Sequence, residues 1–176
     1  MSAQPSAGRA AHTSILIPRE TITLTLSQRY DPSAFYHKPR GLHVFESFRN
    51  RVVVNAKAID AGTSYRLVIH DLGRDVTEEE IEAALSQSHF FDETAVCAIA
   101  EELIGKQLRG GKGHLQHTGR ANLFYLPSCV ADVSWYDADR EWGAYAWSRF
   151  GGRWFVGAMN RGDRNGHKFN RVFSPA

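Results

Sequence analysis

Residues 77–108 read TEEEIEAALSQSHFFDETAVCAIAEELIGKQL, and across this stretch the apolar spacing changes from two to the three-and-four of a helix. Thr77 and Glu80 stand at capping-box spacing, where the hydroxyl accepts a backbone N–H and the carboxylate reaches back to the cap. Ile81, Ala84 and Leu85 supply the apolar side of a first helix. Val96, Ile99, Ala100, Leu103, Ile104 and Leu108 repeat at helical spacing and predict a second helix from about Glu93 to Leu108, ended by Gly110-Gly111.

On the N-terminal side the period is two. Ile22, Leu24 and Leu26 alternate with Thr21, Thr23 and Thr25, which places aliphatic side chains on one face of a strand and hydroxyls on the other. Val52, Val54, Ala56 and Ala58 share a face, as do Tyr65, Leu67 and Ile69, and Asp60-Ala61-Gly62-Thr63 between them carries turn chemistry. A β-hairpin is the expectation there. Asp31-Pro32 and Lys38-Pro39-Arg40-Gly41 read as loops, with a short strand around Leu42 to Phe45.

On the C-terminal side a glycine-rich loop, Gly110 to Gly119, leads into short strands expected at 121–126, 130–136, 141–147, 154–159 and 169–173. Asp137-Ala138-Asp139 and Phe150-Gly151-Gly152 mark turns between them. Strands, two helices, then strands predict an α+β fold. Its expected form is a mainly antiparallel sheet, built from the N-terminal hairpin and a C-terminal meander, with two consecutive amphipathic helices packed on one face. Residues 1–13, mostly Ala, Ser, Gly and Pro, bury too little to offset ordering and read as a flexible tail before a single α+β domain at 14–176.

Of the 176 residues, 43% are hydrophobic and 11% aromatic, enough for a core, which excludes a wholly disordered chain. Apolar runs are too short for a membrane-spanning helix, so no membrane partner is expected. Two cysteines do not make a disulfide framework, and no secretory signal pattern opens the sequence, so a cytoplasmic location is expected.

The net charge of +2 hides a segregation. Residues 1–70 hold nine Lys/Arg and four Asp/Glu, residues 71–104 one and ten, and residues 105–176 eleven and five. The helices are acidic, with Glu78, Glu79, Glu80 and Glu82 either solvating a helical face or meeting a basic protein partner, and both β regions are basic. Lys106, Arg109, Lys112, His114, His117 and Arg120 crowd the glycine-rich loop, where backbone N–H groups and cationic side chains can together approach an anion. Neither the P-loop pattern nor a dinucleotide fingerprint is present. Arg109-Gly110-Gly111-Lys112-Gly113 resembles the phosphate-gripping turn of acyl-CoA-dependent N-acetyltransferases, but that turn joins a strand to a helix and this one follows a helix.

Farther on, Trp147, Arg149, Arg153, Trp154 and Arg164 belong to a segment in which aromatic and basic residues interleave, the combination that lets a sheet stack bases and neutralise phosphates. Cys97, His114, His117 and Cys129 carry donor atoms suited to zinc, yet only the histidines form a close pair, so Cys97 reads more simply as a small core residue. A nucleophile Cys97 with His114 or His117 as base and Asp132 as orienting group is disfavoured by Glu93, Glu101 and Glu102, and no established signature accompanies it.

The leading expectation is a non-enzymatic accessory protein that binds nucleic acid or a nucleoprotein complex, with no metal or cofactor and no catalytic residue. The alternatives are an assembly or inhibitor protein using its segregated faces, and a Cys/His enzyme or zinc protein.

Overall fold

The computed structural model describes residues 14–35, 42–85, 88–107, 112–118, 120–136, 153–162 and 169–176. In it seven strands lie in the order β1-β3-β7-β4-β5-β6-β2. They are β1 (Leu16–Thr25), β2 (Leu42–Val44), β3 (Ser64–Leu72), β4 (Ala121–Tyr125), β5 (Val130–Tyr136), β6 (Arg153–Met159) and β7 (Arg171–Pro175). Three helices accompany them: α1 (Glu46–Arg51), α2 (Glu78–Ala84) and α3 (Glu93–Lys106). The expected strand at 141–147 and the tail at 1–13 lie outside the described residues.

The chain is α+β, but the expectation of a mainly antiparallel sheet with two helices is overturned. The sheet is mixed: β7 runs parallel to β4, and β2 runs parallel to β6. β4, β5 and β6 do form an antiparallel meander. β7, however, does not extend it; the chain crosses back and inserts β7 between β3 and β4. Burial explains the placement. Arg171 to Ser174 are all buried, so both faces of this strand need cover, which only a central position provides. Phe173 stacks on Phe124 at 4.6 Å on one face, and Val172 joins a second apolar cluster on the other.

The N-terminal hairpin also differs from expectation. β3 pairs with β1, while residues around Val52 form no strand. Phe48 and Val52 both point into the core while Asn50 between them is exposed, which is the pattern of α1 rather than of a strand. A short 3-10 turn follows at Val53–Asn55, and Val54 is 68% exposed although its two valine neighbours are buried, so alternation fails there. In β1 the expected alternation holds: Leu24 is buried and Ile22 packs against the core.

The two predicted helices form, but not on one face. α2 opens on the Thr77–Glu80 capping box, and α3 opens on Asp92, whose carboxylate accepts from Ala95 N at 2.7 Å. α3 lies in the main core with Phe124, Ala131, Val133 and Phe173, whereas Ile81 of α2 belongs to a separate cluster with Leu123, Tyr125 and Val172. Because successive strand residues face opposite sides, these sets place α3 and α2 on opposite faces of the sheet. Six consecutive α3 residues, Ala95 to Ala100, are buried, so this stretch of the helix is covered all round, while Gly105 and Lys106 at its C-terminal end are exposed. A layer containing Tyr30, Phe35 and Phe48, with Phe35 and Phe48 stacked at 5.7 Å, belongs to the same core.

Candidate functional site

β4 and β6 both run antiparallel to β5, and β7 runs parallel to β4, so all three start at the same end of the sheet. The residues just before β4 and just after α3 meet there. They contain the described part of the glycine-rich loop, Lys112 to Thr118.

Three buried polar side chains hold this loop from below. Gln107, at the C-terminal end of α3, accepts from Leu115 N at 2.8 Å and donates to Leu115 O at 3.2 Å, as a neighbouring strand would. Asn122 in β4 accepts from Gln116 N at 2.7 Å and donates to Gln116 O at 3.1 Å and Val133 O at 2.7 Å. Arg171, only 3% exposed, donates through Nη1 to His114 O and through Nε to Asp71 Oδ1 at 2.9 Å. Asp71 takes a second cation, Arg19, at 3.0 Å, so the buried charge is compensated. Gly113 passes so close to Gln107 that an added Cβ would sit 2.3 Å from its side-chain carbon, which only glycine permits.

The expected site residues divide. Lys112 and His117 are exposed on the loop, Arg120 is half-buried immediately before β4, and Arg153 is exposed at the start of β6. These four lie at one end of the sheet. Lys106 points elsewhere, to Glu102 at 3.1 Å. Burial pushes the Glu102 carboxyl up, but hydrogen bonds from Ser27 and Lys106 outweigh it and hold the group below its ordinary range. His114 is half-buried with Nδ1 3.0 Å from Glu20, so it ties the loop to β1. Trp154 is fully buried, donates from Nε1 to Gln107 O at 2.7 Å and packs edge-on against Trp135. It is therefore a strut beneath the loop, closed to any stacking base. Arg109, Trp147, Arg149 and Arg164 lie outside the described residues.

The acidic helix engages its own chain. Glu80 binds Arg74 and caps α2, Glu82 binds Arg161, and buried Glu78 accepts from Gly162 N at 2.8 Å. Burial raises the Glu78 carboxyl above its usual range, with nearby Glu82 adding to the rise, while the Gly162 bond and Arg161 oppose it.

The cysteine chemistries do not assemble. Cys129 follows the C-terminal end of β4, bonding back to Leu126, while His114 sits near its N-terminal end. Asp132 lies between Ala131 and Val133, which share the core with Cys97, so its side chain faces the other side of the sheet. Burial pushes the Cys97 thiol up to about 12, the reverse of an activated nucleophile.

Gln107, Gly113, Asn122 and Arg171 were not among the expected site residues. Asn122 does leave a signal: an amide within the otherwise apolar strand Ala-Asn-Leu-Phe-Tyr must find partners. Among the described residues no helix is long and apolar enough to cross a membrane. Set beside known proteins, the chain matches no family model, no curated protein and no solved structure, so these side chains themselves are what any functional reading must start from.

Proposed function

We propose that the protein is a non-enzymatic accessory protein that binds nucleic acid, alone or in a nucleoprotein complex, through the loop-bearing end of its sheet. The observation that carries this reading is the pinned loop. Gln107, Asn122 and Arg171 meet the ordering cost of 112–118 from inside, while Lys112 and His117 remain on the solvent side with Arg120 and Arg153 at the same end. A preorganised cationic surface binds a polyanion without first having to fold.

Lys112, Arg120 and Arg153 together would neutralise about three phosphates, which sets a log–log salt slope of roughly −2.1 on single strands and −2.7 on duplex. Between 50 and 200 mM salt, affinity should fall about 20-fold to 40-fold. Titration of labelled oligonucleotides at both salt concentrations tests this. Absence of binding at the lower salt defeats it. Two free, buried cysteines suit a reducing, cytoplasmic setting for this activity.

A second reading, an assembly protein, is favoured by β1. Among the described residues this ten-residue strand has β3 as its only strand neighbour, leaving a sheet edge for another chain. Light scattering that reports a monomer at all concentrations, alone and with partners, counts against it.

A further inference from the structure

The two halves of β1, a sheet edge among the described residues, differ. The N-terminal half is blunted in the ways that keep an edge from pairing: Pro18 lacks an N–H, the register slips between Pro18 and Glu20, and Arg19 and Glu20 carry charge. At the opposite edge β2 is only three residues long. Thr21 to Thr25 has none of these devices. It reads Thr-Ile-Thr-Leu-Thr, without charge, proline or glycine, and pairs with β3 in unbroken register.

The ladder fixes which backbone groups of this segment are open. Leu26 N donates to Thr63 O at 2.9 Å, so by alternation Leu26, Leu24 and Ile22 turn their backbone groups toward β3, and Thr21, Thr23 and Thr25 turn theirs outward. The same three threonines are exposed on the side of the sheet away from the main core, to which Leu24 belongs. Read from either end, the segment alternates hydroxyl and aliphatic side chains in the same order. A two-fold axis through Thr23, normal to the sheet, therefore sets Thr23 against its own copy, Thr21 against Thr25 and Ile22 against Leu24, each pair on a single face. Every outward N–H and C=O of the segment then finds a partner.

Charge selects this register. It brings half-exposed Arg19 to Ser27 of the other copy, whose N and Oγ both hold Glu102, and sets Glu20 against apolar Leu26. Sliding the copies two residues one way opposes Arg19 to Arg29; sliding them two the other way runs Thr25 onto the bulge at Arg19. We infer that β1 is a homodimer interface, in which Thr21–Thr25 pairs antiparallel with the same segment of a second copy about a two-fold axis at Thr23. This rests on the assembly reading of β1 and adds the occupant, the register and the symmetry. Because β1 runs parallel to β7, the two loop-bearing ends point in opposite directions in such a dimer.

The test combines mass by light scattering over a wide concentration range with oxidative cross-linking at introduced cysteines; Cys97 and Cys129 are buried and stay out of the reaction. Wild type should pass from one chain to two as concentration rises. Thr23→Cys should form a covalent dimer, since a residue on the axis meets itself at about 5.5 Å between Cα atoms, within disulfide reach. Thr21→Cys should not link to itself but should link to Thr25→Cys when the two are mixed. Thr23→Lys should weaken dimerisation about fivefold or more by opposing like charges, and mixing it with Thr23→Glu should restore it, which shows that charge at the axis and not misfolding caused the loss. A wild type that stays monomeric at every concentration overturns the homodimer while leaving β1 open to a different chain. Self-linking of Thr21→Cys as ready as that of Thr23→Cys, or a dimer unaltered by Thr23→Lys, overturns it as well.

Discussion

Replacing Asn122 with alanine should detach the 112–118 loop from the sheet. The side chain is fully buried and makes three hydrogen bonds, two to Gln116 and one to Val133 O. Each bond removed leaves a partner that must be solvated or orphaned, at about 1–3 kcal/mol when water is excluded. Val133 O, a buried acceptor, bears that cost in full; Gln116 is half-buried, so water recovers part of its loss. The total comes to roughly 2–4 kcal/mol, a large share of the ~5–15 kcal/mol that holds a domain of this kind together. Urea denaturation followed by tryptophan fluorescence measures it as a lower midpoint at unchanged slope. Amide exchange at Leu115 and Gln116 should accelerate in parallel. Combining the change with Gln107→Ala should cost less than the two separately, because both side chains hold one loop. A loss below about 1 kcal/mol with the loop equally protected would refute the claim that buried amides order it.

Gly113→Ala should cost about 2 kcal/mol or more, since the new methyl displaces Gln107 from Leu115, whereas Gly105→Ala, in α3 with nothing within 4 Å, should stabilise by about 1 kcal/mol; paired thermal melts check both. Glu78→Gln keeps an acceptor for Gly162 N and cannot ionise. Because the folded state raises the Glu78 pKa, wild type has its full share of stability below the unfolded value and loses it as pH rises through the folded one. The variant should match wild type near pH 4 and be the more stable of the two at pH 7, read from denaturation curves across pH. Cys97, buried with its thiol raised to about 12, should resist a thiol reagent at pH 8 until the chain is unfolded, and labelling of native protein at that site would contradict the packing.

The helices were legible because their signals are local. Thr77 with Glu80 and the apolar spacing after Glu93 fix α2 and α3 to within a residue or two of their ends. What those helices pack against was not legible, since a helix of acidic face and apolar stripe fits either side of a sheet. α1 was hidden because Val52, at helical spacing from Phe48, opens a run of valines that also satisfies alternation. The parallel pairings were hidden for a different reason: five residues, Arg171 to Pro175, carry no mark of which strand will lie beside them. At the site, basic loop residues such as Lys112 and His117 can be picked out by composition. Arg171 cannot, because its partner His114 is 57 residues away, and Asn122 shows only as an amide in an apolar strand, with nothing to name Gln116 as its partner before folding. Trp154 misleads for the same reason, as an aromatic beside arginine reads alike whether it faces solvent or a buried carbonyl.

The position of β7 has a consequence for assembly. Among the described residues, β1 with β3, and β4 with β5, β6 and β2, are two half-sheets hydrogen-bonded to each other through a strand later in the chain than all of them. Until Arg171–Pro175 docks, β3 and β4 each present a row of unpaired backbone groups set one strand-width apart. The β7 of a second molecule matches that slot as well as the molecule's own. Strand exchange between copies is therefore the misassembly this topology invites, and supplying the β7 sequence as a free peptide during refolding should compete with it.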